Sequence, residues 1–230
     1  MVTMTISFEL QPGQPLLAKR VSLRARVTEA LRESLVAGEM QPGRIYSAPN
    51  LAEMLGVSAT PVREAMIDLA REGLVEPIRN KGYFVVKLRD EDLDDLTALR
   101  ALIEVPTIAT VATLITSDQI VALRPLARQL NSTAISGDLI DFIRTDTTFH
   151  LQLLAIAGNR QIVEEVRRLR NLSRLYGLGS LAESGELIAT AQEHTELLDL
   201  LEEHDVQGSQ DLMNRHLGHI RGVWAGVHEE

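Results

Sequence analysis

Residues 56–66 read GVSATPVREAM, and the order of residue types in that stretch decides the fold. Gly56 can adopt the left-handed backbone that ends a helix. Pro61 suits the first turn of the next helix, where a missing N–H leaves no hydrogen bond unmade. Two hydroxyl residues of the helix-capping class, Ser58 and Thr60, stand between them. The Thr60–Pro61 pair predicts an N-cap followed by the first helical position. Val62, Met66 and Leu69 then recur at helical spacing as an inner face, with a stop near Gly73. Two helices joined by so short a turn cross at a steep angle, and the second protrudes.

Working outward, residues 22–37 (SLRARVTEALRESLVA) place Leu23, Val27, Leu31 and Leu35 on one helical face, and Gly38 can close that helix. MQPGRIY is a turn leading into a short extended piece. Ser47 can cap a short helix containing Leu51, Met54 and Leu55. Downstream, LVEPI and YFVVKL are β-type runs joined by Arg79-Asn80-Lys81-Gly82, a hairpin turn. Three short helices followed by a hairpin make a winged helix-turn-helix, whose protruding helix can enter a major groove N-terminal end first.

Ser58, Thr60 and Arg63 occupy the start of that helix. Hydroxyls and free amides there suit phosphate oxygens, whereas Arg63 can reach O6 and N7 of guanine. Arg79 and Lys81 at the hairpin tip can meet the DNA backbone or the minor groove. Taken singly, the hydroxyls could be caps only and Arg63 a solvated charge. It is the combination that favours nucleic acid.

Charge is unevenly placed along the chain. The net is −9 over 230 residues, yet Lys19 to Leu88 holds eleven Lys/Arg and eight Asp/Glu. From Arg89 onward there are twelve Arg and twenty-three Asp/Glu. A basic first segment facing a polyanion and an acidic second segment with another task fit this asymmetry. Aromatics at 3% are too few for a surface that stacks bases. With no cysteine, disulfides and thiolate metal sites are excluded. No apolar run approaches the ~18 residues of a membrane span, and no signal peptide is evident. The expected organisation is a flexible arm over 1–18, the winged helix-turn-helix over 19–88, and an all-helical bundle over 89–230, so the fold class is mainly α. LRDEDLDD (88–95) marks the junction. About six helices and no strands follow it, with stops at 116–117, 131–137, 158–159, 177–185 and 204–208.

In the bundle, DLIDFIRTDTTFHLQLLAIAGN (138–159) carries Leu139, Phe142, Ile143, Phe149, Leu153 and Leu154 as one stripe. Asp146 and His150, four apart, interrupt that stripe instead of lying opposite it. Ionisable groups aimed inward are costly unless they are paired or bound to a metal. His194 falls among Leu187, Ala191, Leu198 and Leu201, and His216 among Leu212, Met213, Leu217, Ile220 and Val223. An Asp/His pair and two further imidazoles from separate helices could bind one divalent ion, with zinc, nickel or another first-row metal suiting those ligands. Alternatively each is a core residue satisfied by hydrogen bonds, with Asp146 simply pairing with His150.

The first segment resembles the N-terminal winged-helix domain of the GntR family of bacterial transcription regulators. The likeness covers about 65 residues through GVSATPVREA, EGLV and NKGYFV. It implies a homodimer on a palindromic double-stranded operator, with DNA contacts from Ser58, Thr60, Arg63 and the wing around Asn80, Lys81 and Gly82. This chain departs from the family pattern twice. Ala59 stands where a basic residue is frequent, and Ala48-Pro49-Asn50-Leu51 replaces an E-R-E-L pattern. An altered operator or weaker affinity is expected, each lost phosphate contact flattening the salt dependence by about one unit.

The second segment resembles the FCD effector-binding domain of the FadR subfamily. The resemblance rests on Asp146–His150 with Ala157-Gly158-Asn159, on Glu193-His194, and on Arg215-His216-Leu217. It implies a metal at Asp146, His150, His194 and His216, and a small organic acid effector whose carboxylate completes the metal shell. Arg100, with Glu104 four residues on, matches a recurrent Arg and is a candidate second anchor for that carboxylate. A salt bridge between helices or domains is its other reading. The expected protein is a cytoplasmic, nucleoid-associated, non-enzymatic regulator, most often a repressor in this family, with no membrane partner. Its rivals are a metal sensor and a small metalloenzyme using the Asp/His₃ set, although no H-E-x-x-H or other catalytic signature is present.

Overall fold

The computed structural model describes residues 22–36, 38–173 and 186–225. The arm over 1–18 and the stop at 177–185 lie outside the described residues. The head comprises α1 (Leu23–Val36), β1 (Ile45–Tyr46), α2 (Ala48–Leu55), α3 (Ala59–Arg71), β2 (Val75–Ile78) and β3 (Gly82–Val85). Its three strands pair antiparallel in the order β1-β3-β2. Phe84 faces Ile45 on one side and Glu76 on the other. The core is built from Val27, Leu31, Leu51, Val62, Met66, Leu69 and Val85, with Thr28 buried beside them. Leu23 does not join it and is half exposed.

Ser47 caps α2 by accepting a hydrogen bond from the Asn50 amide, and Gly56 ends that helix at φ 65°. The start of α3 differs from expectation. Its N-cap is Ser58, so Thr60 and Pro61 both lie inside the first turn. Pro is tolerated there because the first-turn amides have no partner within the helix, so both frames satisfy the local rules.

Among the described residues six helices follow: α4 (Asp90–Leu114), α5 (Ser117–Ser136), α6 (Leu139–Ala155), α7 (Arg160–Ser173), α8 (Glu186–Glu202) and α9 (Val206–Ala225). Helix α5 continues through Asn131, whose amide donates to the Ala127 carbonyl, and stops only at Gly137. Helix α4 is, contrary to the sequence reading, long and apolar enough by composition to cross a membrane. It instead packs against α9, α7 and α6, burying Arg100, Glu104, Thr107, Ile108 and Val111. That is the pattern of a bundle's central helix. Around it lie Leu130, Phe149, Leu153, Leu154, Leu198, Leu201 and Met213.

Candidate metal centre and nucleic-acid interface

Asp146 and His150 project from consecutive turns of α6, His194 from α8 and His216 from α9. All four are buried, and one ligand atom from each lies within 4.8 Å of the others. Asp146 Oδ1 is 3.1 Å from His194 Nε2 and 3.5 Å from His150 Nε2. The two Nε2 atoms are 3.1 Å apart. Ligands at ~2.1 Å from one ion sit roughly 3.0–3.4 Å apart at octahedral or tetrahedral angles, so the two 3.1 Å spacings suit a shared cation. The 3.5 Å one lies just beyond that range.

The surrounding hydrogen bonds orient the rings for that role. His194 Nδ1 lies 3.0 Å from the Thr190 carbonyl and 3.2 Å from that of Ala191. Carbonyls only accept, so Nδ1 carries the proton and the Nε2 electron pair faces inward. His216 Nδ1 donates in the same way to Glu193 Oε2 at 2.7 Å. Burial pushes the His150 ring well below its ordinary pKa, helped by the Arg170 charge. Burial and Arg170 bring His194 down to about 4. Both rings are therefore neutral at pH 7, the form that can ligate. The donor set fits a divalent first-row cation.

Behind the imidazoles runs an ionic network. Arg170 Nη2 donates to Asp146 Oδ2 at 2.6 Å and Nη1 to Glu104 Oε2 at 3.1 Å. Arg100 Nε donates to Glu104 Oε1 at 2.6 Å. Burial alone would raise the Glu104 carboxyl, but the two guanidiniums outweigh it and hold it at about 2. Burial lowers Arg100 to about 10. Among the described residues the buried charged side chains are Arg100, Glu104, Asp146, Arg170 and Glu193, and every one belongs to this cluster. Arg100 thus forms its salt bridge within its own helix, not between helices or domains, and among the described residues its buried Nη2 has no partner. Arg170 and the Glu193 support of His216 escaped the sequence reading. Arg170 does lie four residues after Val166 on the apolar face of α7, and that was its available signal.

On the head, Ser58, Thr60, Arg63, Arg79, Asn80 and Lys81 are all exposed, and Gly82 is half-buried. The Ser58 hydroxyl makes no cap bond, unlike that of Ser47. Arg24 and Arg71 pair with Asp68, and Arg32 pairs with Glu29 and Glu72. Arg63, Arg79 and Lys81 form no ion pair among the described residues, which leaves three positive charges at the helix start and wing tip for a polyanion. Asn80 turns the wing at φ 61°. Gly82 has a structural duty: at φ 132°, an added Cβ would lie 2.3 Å from the Tyr46 carbonyl oxygen. Only Gly lets β3 approach β1 that closely.

Comparison with known proteins agrees with both halves. Residues 95–219 match the FCD domain, and residues 23–85 match the bacterial regulatory proteins of the gntR family. An uncharacterized HTH-type transcriptional regulator in an unstable DNA locus of Streptomyces ambofaciens is 31% identical over 189 residues, 81% of this chain and 78% of the relative. HTH-type transcriptional repressor RspR of Escherichia coli (strain K12) is 25% identical over 217 residues, 94% of this chain and 92% of its own. Among solved structures, E. coli McbR/YncC superposes with a TM-score of 0.73 at 25% identity, covering 86% of this chain and 94% of that one.

Proposed function

The chain belongs to the gntR family of bacterial regulatory proteins and carries an FCD domain, and from that premise we propose a metal-dependent, acid-responsive repressor of the FadR subfamily. It is a DNA-binding transcription regulator and not an enzyme. Residues 19–88 form the reading head in this proposal, and 89–230 the effector and dimerisation domain, following an arm over 1–18. Two heads of a homodimer read a palindromic operator. Ser58, Thr60 and Arg63 enter the major groove, and Arg79, Asn80, Lys81 and Gly82 form the wing contact. The protein works in the cytoplasm, on the nucleoid, without a membrane partner.

In the bundle, Asp146, His150, His194 and His216 hold zinc or nickel. The carrying observation is the charge of the buried cluster. Two guanidiniums and three carboxylates are buried there, and the half-exposed Arg215 meets Glu193 from outside at 3.5 Å. The buried groups carry a net of −1 with the imidazoles neutral as ligation requires. A divalent ion turns this to +1, which a single monocarboxylate balances. Arg100, with its remaining donor, is the second anchor for that carboxylate. The bound acid changes operator affinity through its differential affinity for two placements of the heads, with a coupling of ~1–3 kcal/mol.

One observation favours a metal sensor instead. The gap bordered by Leu197, Leu212 and Met213 is too narrow to admit a water molecule beside the imidazoles, so an acid must open it whereas a bare ion need not. A gel shift on an operator selected from random DNA separates the two. Simple carboxylic acids that shift affinity only when zinc or nickel is present support the acid-responsive reading. A shift by the ion alone supports the sensor, and no shift under either condition overturns both.

A further inference from the structure

Three consecutive residues near the end of α7 hold both the ion site and the end of the reading helix. Arg170 donates to Asp146 Oδ2 at 2.6 Å. Asn171 Nδ2 donates to Glu72 Oε2 at 3.1 Å, and Glu72 is the C-cap of α3. Leu172 lies over Gly73, with its Cδ2 3.4 Å from where a Cβ would stand. Arg32 of α1 grips the same Glu72 carboxylate at 2.7 Å. Beside this bridge a cleft opens between head and bundle, lined among others by Arg32, Glu72, Ile140, Thr147 and Asn171. The two bodies therefore meet here through a few side chains and not through a packed wall.

We propose that Arg170-Asn171-Leu172 is a positioning link, through which the state of Asp146 sets the placement of the C-terminal end of α3. Asp146 divides its carboxylate. Oδ1 faces the imidazoles and Oδ2 faces Arg170. A cation at the imidazoles draws on the same negative charge and weakens the hold on Arg170, whose second partner, Glu104, sits on α4. Among the described residues Arg170 Nε has no partner of its own, so the guanidinium can turn toward Glu104 without breaking a third bond. Residues 170–172 share one helical segment, so a shift at Arg170 is delivered to Asn171 and Leu172 and hence to Glu72 and Gly73. The ion's role rests on the reading in the preceding section, whereas the mechanical link does not. Spatial adjacency alone does not establish coupling, so the test is a double-mutant cycle.

Amide exchange measured by mass spectrometry on the full chain supplies the readout. The reporters are the amides of Glu72, Gly73 and Leu74, which donate to Asp68, Ala70 and Leu69. In metal-free protein, Asp146→Asn is expected to change exchange over 68–74 by about fivefold or more, and the Asn171→Ala background is expected to abolish that change. Asp146→Glu, which keeps the charge and lengthens the reach, replaces Asp146→Asn if the latter does not fold. Additive effects, or unchanged exchange over 68–74, overturn the link. Zinc chloride added to stripped wild type reads the metal separately. Protection at 146–150 and 194 that fails to reach 68–74 also overturns the link, whereas absence of protection at the histidines with a non-additive cycle sinks the metal reading and leaves the link standing.

Discussion

The head and the bundle put their charges in opposite places. In the head the core buries no charged side chain and only the Thr28 hydroxyl among polar ones, and the groups proposed to meet DNA lie on the surface, several of them without ion-pair partners among the described residues. In the bundle the ionisable groups lie within the core: two guanidiniums, three carboxylates and three imidazoles sit among Phe149, Leu198 and Met213. A surface site can change residue by residue at little expense to stability, because each side chain already has water as a partner. A buried ionic site must be satisfied as a unit, since removing one member leaves its partners desolvated and unpaired. An exposed set of charges and a buried one thus impose different constraints on the two halves of one chain.

The largest effect expected from that contrast comes from Arg170→Met, which keeps the volume but strips Asp146 of its guanidinium and leaves Glu104 with Arg100 alone. A loss of about 3–5 kcal/mol is expected in urea unfolding. The matching change in the head, Arg24→Met, breaks an exposed pair with Asp68 and is expected to leave the midpoint within error. Equal effects in the two halves would break the comparison.

Metal comes next. Zinc or nickel at a hundred times its Kd is expected to stabilise the protein by about 2.7 kcal/mol, read as a rise in Tm. His194→Ala and His216→Ala are expected to abolish the rise, and Arg63→Ala to leave it intact. Stabilisation that survives loss of either imidazole would place the ion elsewhere.

Acid distinguishes the halves in a second way, because all six histidines fall at or after His150 and the head has none. His150 and His194 are held below the ordinary imidazole range, chiefly by burial. The unfolded chain therefore takes up protons that the folded bundle refuses, and stability rises with pH across that window. It is complete above about 6.5 and drains away as pH falls toward the folded His194 value of about 4, a loss on the order of 3 kcal/mol. Exchange-resistant amides of α6 and α8 are expected to weaken over this range, and those of α3 to stay flat until carboxylates titrate. A parallel decline in both would show that the head depends on the bundle for its stability.

The two halves also differed in how much their sequences disclosed. The head's elements follow from local rules that act over a few residues: Gly56, the Ser47 cap and the Asn80–Gly82 turn act through the adjacent backbone. The miss at the start of α3 came from within those same rules, since Ser58 and Thr60 are both capping types and Pro fits either frame. In the bundle, Asp146, His150, His194 and His216 were each visible as an interruption of an apolar stripe. Their meeting at one point is a property of helix packing that no single helix encodes. Arg170 was harder to see, because Arg167 and Arg168 stand beside it and only tertiary contact decides which guanidinium turns inward.

The smallest effects offer the finest test, and they use two serines. Ser47 and Ser58 precede consecutive helices, yet only Ser47 spends its hydroxyl on a cap, at 3.3 Å from the Asn50 amide. Ser47→Ala is expected to remove about 1 kcal/mol of stability and to leave operator affinity unchanged once folding is allowed for. Ser58→Ala should do the reverse, shifting stability by no more than about 0.5 kcal/mol while weakening operator binding about 2- to 12-fold, the range of one hydrogen bond. Urea unfolding and gel shifts on the same two variants would show the crossing directly. If Ser58→Ala destabilises the fold as Ser47→Ala does, its hydroxyl is a cap in solution. The surface of the head would then hold one fewer group kept free for DNA, and the contrast with the bundle would narrow at that residue.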